Sequence, residues 1–402
     1  HTRSASSSRG LGDVYKRQEF INTAEALTAF CDAIKDSDWI TVDTEFIREK
    51  TYYPKLCLIQ IGTQDRAACI DPLAIQSLDP VYDLLMDKSI LKVLHACSQD
   101  LEIFVHQKGE VPGPIFDTQL AAPLLGLAEQ IGYGNAVREL LGVQLDKAHS
   151  RTDWSKRPLS EAQLEYAADD VRYLAKMYPM MRTQLDELGR LDWLDAEFEP
   201  YGRLERYQQP PEDAWRRIRG LEKLKPRALS VVQKLAAWRE TRAKERDLPR
   251  NWILKDDVIM DLARLAPVKP SDLDNIRGLQ GKTLDRYGQL LLDMVQQALT
   301  EDPVPLPKRS RGVKASVQED ALADVLQAQL RLLADAQDIN SAAVASRKDL
   351  LALIRDEESP LLKGWRRKLA GDELLAMRNG ERIISIENSH VEIARAAGNA
   401  QE

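Results

Sequence analysis

Four acids and one tyrosine have the residue types and spacing to hydrolyse a phosphate ester. Asp43 and Glu45 lie in Ile40-Thr-Val-Asp-Thr-Glu-Phe46, Asp100 closes His95-Ala-Cys-Ser-Gln-Asp100, and Tyr166 and Asp170 lie in Glu165-Tyr-Ala-Ala-Asp-Asp170. Apolar Trp39 to Val42 predicts a buried strand, and its two-residue period puts Asp43 and Glu45 on one face at its end. Lys92-Val-Leu94 predicts a second strand, followed by a turn in which Ser98 is placed to cap the helix carrying Asp100. Tyr166 and Asp170, four residues apart, are neighbours on one helix face. Four carboxylates aimed at a shared point repel one another unless cations join them. Hard oxygen ligands suit Mg²⁺ or Mn²⁺, and two such ions clamp the attacking and leaving oxygens of a phosphodiester. The chemistry implied is that of a metal-dependent nuclease.

Each acid taken singly has a plain structural explanation. Acids at strand ends are common, and Asp100 in a first helical turn is explained by the helix dipole. The Tyr166 helix carries more internal evidence. Ser160 and Gln163 have the spacing of a capping box, and Leu164, Ala167, Val171, Leu174 and Tyr178 recur at helical intervals as a core stripe. At about 100° per residue, Asp170 falls on the border of that stripe, whereas Asp169 points to the opposite, solvated side. Periodicity therefore selects Asp170 over its neighbour.

Asp-x-Glu on a first strand, a distant Asp after His-Ala-x-Ser, and Tyr-x-x-x-Asp on a late helix together resemble the DEDD exonuclease superfamily in its tyrosine branch. The surrounding Asp43-Thr-Glu-Phe46, Thr51-Tyr-Tyr-Pro54, Leu58-Ile-Gln60, Ile70-Asp-Pro72, Asp117-Thr-Gln119 and Ser150-Arg-Thr-Asp-Trp154 are similar to the ribonuclease D family, across residues 19–200. Gln99 departs from the family, which has an acid there. The resemblance implies an α/β, ribonuclease H-like 3′–5′ exonuclease domain. Asp43, Glu45 and Asp170 would hold one metal ion, Asp43 would bridge to a second, and Asp100 would support that second ion. Tyr166, with a reference pKa near ~10, is a poor base at neutral pH and is expected to orient the attacking water. The implied activity is a 3′–5′ exoribonuclease that releases nucleoside 5′-monophosphates from RNA, tRNA precursors among its substrates, acting as a monomer. A DNA 3′–5′ exonuclease uses the same acids, and a non-catalytic nucleic-acid-binding scaffold is the third class. The intact set of five site residues argues against the scaffold.

Other polar residues have weaker claims. Asp117 is expected to cap a helix over Thr118 to Leu127 or, as its match to the family motif implies, to support the site without binding metal, and Asp71-Pro72 is a turn signal. Lys147, Arg151 and Trp154 either touch nucleic acid or form a loop around a buried tryptophan. His95 precedes a turn, and His106 and His149 are expected at surface or hydrogen-bonding positions.

The 402 residues suffice for two or three domains. The net charge of −7 is unevenly spread: Trp215 to Arg250 holds 12 Lys and Arg against 4 Asp and Glu, leaving the remainder strongly acidic. An acidic body with one basic module suits an enzyme that gathers an anionic substrate at one place. The four cysteines have no CxxC spacing, and Cys57, Cys69 and Cys97, in strand-like runs, read as reduced core residues of a cytoplasmic protein. No apolar run predicts a membrane span. Residues 1–18 read as a non-native or disordered leader. The nuclease unit is expected over 19–205. Past Tyr207-Gln-Gln-Pro-Pro-Glu212 the pattern turns helical, and residues 210–300 resemble an HRDC domain, which implies a nucleic-acid-binding auxiliary module. A Pro-rich linker from Asp302 to Arg311 leads to residues 315–395, expected as a second all-helical, HRDC-like domain.

Overall fold

The computed structural model describes residues 18–146, 152–303, 305 and 315–396. Gln18–Ile21 (β1), Trp39–Ile47 (β2), Lys55–Gly62 (β3), Ala67–Ile70 (β4), Leu91–Leu94 (β5) and Ile115–Asp117 (β6) form one sheet in the order β1-β4-β3-β2-β5-β6. The apolar runs in β2, β3 and β4 build the expected antiparallel meander, with Asp43 opposite Gln60 and Gln60 opposite Cys69. Parallel pairing adds β1 beside β4, β5 beside β2 and β6 beside β5. Strands β1 and β6, of four and three residues, are too short to show a period. Gln18, expected in the leader, opens β1 against Ala67; residues 1–17 lie outside the described residues.

Helices cover both faces. Leu27 and Phe30 of α1 (Ala24–Ile34), Leu85 of α2 (Asp79–Met86) and Phe104 of α3 (Ser98–Lys108) pack with Ile40 and Val42 of β2. Short α4 (Thr118–Ala121) and α5 (Tyr133–Leu141) precede α6 (Glu161–Glu187), which lies across β2, β3 and β4 on the other face. The capping box is present: Ser160 Oγ accepts from the Gln163 N–H at 3.2 Å, and Gln163 Oε1 accepts from the Ser160 N–H at 2.8 Å. Such a cap stabilises a helix start by about 1 kcal/mol. Closer to the middle, the buried Thr41 hydroxyl donates to the Val171 carbonyl at 3.1 Å. Beside it Gly62 leaves room for this approach, because a Cβ there would sit 2.5 Å from Thr41 Oγ1 and 3.2 Å from Val171 Cβ.

Beyond α7 (Trp193–Phe198), helices α8 (Pro226–Arg246), α9 (Arg250–Ile253), α10 (Asp256–Leu265) and α11 (Lys282–Ala298) follow. They enclose a core of their own, with Trp215, Val232, Leu235, Ile259 and Leu291 at its centre. Helices α12 (Val317–Asp335), α13 (Ser341–Val344), α14 (Arg347–Ile354), α15 (Gly364–Arg366) and α16 (Asp372–Arg378) instead share a core with the nuclease unit. Leu326, Leu330 and Leu374 join Val137, Leu174 and Met181, and Trp193 stacks on Trp365 with centroids 4.8 Å apart. The all-helical expectation for residues 315–395 fails at its end. Arg382–Glu387 (β7) and His390–Arg395 (β8) form an antiparallel hairpin. Its two-residue turn, Asn388-Ser389, has φ of 49° and 66°, the pair of positive values that a tight hairpin requires. Most of the expected Pro-rich linker lies outside the described residues.

The close approach of α6 to the sheet gives a test of the fold. Gly62→Ala should lower the unfolding free energy in urea by roughly 1–3 kcal/mol, as overpacking does, while Gly202→Ala, where nothing lies within 4 Å, should be near neutral.

Candidate active site

Strand β2 delivers two of the acids. Its residues alternate between faces, so Asp43 and Glu45 point toward the α6 side while Ile40 and Val42 enter the opposite core. Pairing with β3 shifts register between Glu45 and Phe46, and such irregularities re-aim side chains at strand ends. Helix α6 delivers Tyr166 and Asp170 from one face. Carboxylate oxygens of Asp43, Glu45 and Asp170 all lie within 4.8 Å of one another. Asp100 is outside this trio. It is buried, and the Thr44 hydroxyl donates to it from the opposite face of β2.

Several residues hold these four in place, and sequence reasoning undervalued most of them. Asp117 caps α4 as expected, accepting from Gln119 N–H at 2.8 Å, but its carboxylate also accepts from Ala96 N–H at 3.1 Å and Cys97 N–H at 2.8 Å. It thereby ties down the turn that aims Asp100, in which Ala96 takes a φ of 60°. The expected Ser98 cap is absent, since Ser98 is the first residue of α3 and Cys97 holds the cap position. The expected helix over Thr118 to Leu127 is split into α4 and a tighter turn over Ala122–Leu125. Tyr133 was missed altogether: its hydroxyl reaches the carbonyls of Asp169 and Asp170 at 3.0 and 2.5 Å, fixing α6 at the acid. Nothing local in the sequence marks that contact.

Trp154 is buried among Cys57, Leu58, Cys69, Ala167 and Ala168, and it stacks on Tyr166 at 6.2 Å between centroids. Of the two roles weighed for it, the buried one is observed. Arg157 anchors the same segment, donating to both Asp71 oxygens at 2.6 and 2.7 Å and to the carbonyls of Cys57 and Trp154, each at 2.7 Å. The Asp71 turn is therefore a clamp on the chain entering α6. Asp169 is not fully solvated, because Arg172 pairs with it at 3.3 Å. Lys147, His149 and Arg151 lie outside the described residues.

A cavity of about 360 Å³ opens onto Asp43, Tyr166 and Asp170, with His95, Tyr133 and Asp146 among its walls. His95 is engaged at both ring nitrogens, by Thr118 Oγ1 at 2.9 Å and the Ile131 carbonyl at 3.0 Å, and burial lowers its pKa. Burial, then repulsion from Asp43 and Asp100, pushes Glu45 up to about 9. Burial and the neighbouring acids likewise raise Asp43 and Asp170, and burial raises Asp100 to about 7. Among the described residues no Lys or Arg forms an ion pair with any of the four. The buried Gln60 amide, directly across from Asp43, has no hydrogen-bond partner among them either. Three converging hard oxygens, an absent counter-charge and a spare buried amide fit a divalent cation.

The mixed sheet, its covering helix and the carboxylate trio fit a 3′–5′ exonuclease. A profile of the 3′–5′ exonuclease family matches residues 18–186, and one of the HRDC domain matches residues 228–295. The chain is 40% identical over 379 residues to ribonuclease D of Zymomonas mobilis, covering 92% of this chain and 96% of that one. It is 40% identical over 390 residues to ribonuclease D of Sphingobium indicum. The crystal structure of Escherichia coli RNase D, described as an exoribonuclease involved in structured RNA processing, superposes with a TM-score of 0.77 at 34% identity. That match covers 90% of this chain and 99% of the other. The catalytic core of RRP6 from Trypanosoma brucei shares the fold, with a TM-score of 0.57 at 23% identity. The chain belongs to the ribonuclease D family of 3′–5′ exoribonucleases. The HRDC match covers only the first helical unit.

The raised carboxylates have a sign that can be checked. Glu45 titrates at about 9 in the metal-free fold, against an ordinary value of 4.5. The stability of its protonated form is therefore full below pH about 4.5 and is lost as pH rises toward 9. Metal-free protein should melt at progressively lower temperature between about pH 6 and 9, and added Mg²⁺ should restore more of the melting temperature at the alkaline end. A metal-induced shift independent of pH would contradict this. Asp43→Asn, Glu45→Gln and Asp170→Asn should each raise the metal-free melting temperature while reducing hydrolysis by roughly 10³-fold or more, given the several kcal/mol a catalytic metal supplies.

Proposed function

We propose that Asp43, Glu45, Asp100 and Asp170 hold two divalent cations, Mg²⁺ or Mn²⁺. With them, the chain trims 3′ ends of structured RNA, tRNA precursors included, releasing nucleoside 5′-monophosphates as a cytoplasmic monomer. The observation that carries this is the trio of Asp43, Glu45 and Asp170, with the Tyr166 hydroxyl on the same helical face as Asp170. Bound there, the cations supply Lewis-acid polarisation of the phosphate and a lowered pKa for water. Asp43 would bridge the two ions, and Asp100, bonded to Thr44, would support the second rather than the first. The proposed domain limits are 19–205, 210–300 and 315–395.

Tyr166 holds its proton through the reaction. Burial, followed by Asp170 and Glu45, pushes its hydroxyl up to about 12, so a neutral phenol is present at any working pH. A neutral phenol donates and accepts hydrogen bonds, which aligns a water for in-line attack, and alignment alone supports large rate effects. Trp154, stacked beside the ring at 6.2 Å between centroids, restricts where that hydroxyl can point. His95 is no substitute base, since both its nitrogens are already bonded.

Tyr166→Phe should retain metal binding and lose roughly 10²-fold in kcat, the scale of a misplaced nucleophile; Asp169→Asn should turn over near the wild-type rate. Equal losses at Asp169 and Asp170 would refute the assignment. RNA and matched DNA oligonucleotides, labelled at either end, test polarity and sugar preference. The expected result is immediate release of a 3′-terminal label as mononucleotide from RNA, only with divalent metal. Rapid digestion of DNA alone would favour the DNA reading.

A further inference from the structure

A second cavity, of about 760 Å³, lies between α3 of the nuclease unit and α8 and α9 of the first helical unit. That is within the range of ligand pockets, roughly 300–1,000 Å³. None of the four acids lines it, but Ser98 does, two residues before Asp100 in the same helix. Arg48, Arg206, Arg217, Lys244 and Arg250 line it against a single acid, Glu102. The two units are joined at its wall. Asp247 Oδ1 accepts from the N–H groups of Tyr52 and Tyr53 at 3.0 and 2.9 Å, and the Tyr52 hydroxyl donates to Glu240 at 2.5 Å.

That joint occupies some of the cations. Arg250 is held by Glu240 at 2.9 Å and Arg48 by Glu102 at 2.8 Å. Arg206 and Lys244 meet no carboxylate among the described residues: Arg206 lies over the Tyr201 ring at 4.0 Å, and Lys244 donates to the Gln209 carbonyl at 3.1 Å. Beside them Tyr53 and the exposed His106 stack with centroids 3.5 Å apart and planes 7° from parallel. A flat aromatic pair next to cations without counter-charge is the chemistry of a nucleotide unit, with the base on the ring and the phosphate on the cation.

We propose that this cleft is a subsite for the single-stranded RNA that trails behind the nucleotide being removed. Arg206 and Lys244 hold its phosphates and the Tyr53–His106 pair carries a base. The subsite rests on the RNA reading of the active site. It places strand binding on a joint made by two units, so neither unit alone provides it.

The test uses the full chain in EDTA with labelled oligoribonucleotides, from a dinucleotide to a dodecanucleotide, across a salt titration. For Arg206→Gln combined with Lys244→Gln, dodecanucleotide affinity should fall about tenfold and the salt slope by about 1.4, at ~0.7 per single-strand phosphate contact. Dinucleotide affinity should not change. His106→Ala should weaken the dodecanucleotide while leaving the salt slope intact, and melting temperatures should show both variants folded. With Mg²⁺, KM for the long substrate should rise with kcat unchanged. Equal affinities at every length, or the same loss on the dinucleotide, would overturn the subsite. Tight binding of adenosine 5′-monophosphate that the double variant abolishes would overturn it in favour of a product site. Length-dependent binding through Arg206 and Lys244 without any hydrolysis would sustain the cleft and defeat the proposed activity instead.

Discussion

Mutual repulsion among Asp43, Glu45, Asp100 and Asp170 is the interaction around which this molecule is arranged. At separations near 4.8 Å, two like charges repel by about 3–4 kcal/mol at an effective dielectric of about 20. No protein cation among the described residues is spent on relieving it. Burial first, and then the neighbouring carboxylates, raises their affinities for protons in the metal-free state. Holding such a group requires a scaffold stiff enough that the strands and helix do not simply move apart.

The stiffness comes from contacts that cross the sheet. Gly62 and Thr41 bring α6 to within hydrogen-bonding distance of β2, so Asp170 cannot retreat without breaking a buried bond. Tyr133 holds the helix from the other side at the carbonyl of the acid itself. Asp117 performs the equivalent task for Asp100, engaging the turn before α3 and the start of α4 with one buried carboxylate. A charge-dense site is thus supported by a framework of buried and half-buried hydrogen bonds.

Charge elsewhere follows the same economy. The basic stretch from Trp215 to Arg250 is partly consumed in structure, through Arg239 with Asp256, Arg242 with Glu245 and Arg250 with Glu240. Arg217 and Lys244 of the same stretch line the joint with the nuclease unit. The C-terminal helices are integrated differently: they complete the hydrophobic core on the α6 side, with Trp365 against Trp193 and Arg366 paired to Glu197. The first helical unit has its own core and meets the nuclease through polar contacts; the second has merged with it.

Sequence by itself determined what depends on local periodicity. The two-residue spacing of Asp43 and Glu45, the four-residue spacing of Tyr166 and Asp170, the Ser160 capping box and the β2-β3-β4 meander were all readable, because each lies within one element or between neighbours. Tertiary structure alone decided how far Asp100 stands from the trio, that Trp154 is buried beneath Tyr166, and that Tyr133 and Asp117 hold the site. Those contacts join residues between 12 and 56 positions apart in the chain, as Thr44 to Asp100 does, and no pattern within either segment encodes its partner. The terminal hairpin escaped for a related reason: its strands are stabilised by pairing with each other, and six residues of isoleucine-rich chain read equally well as a helix face until that pairing is seen.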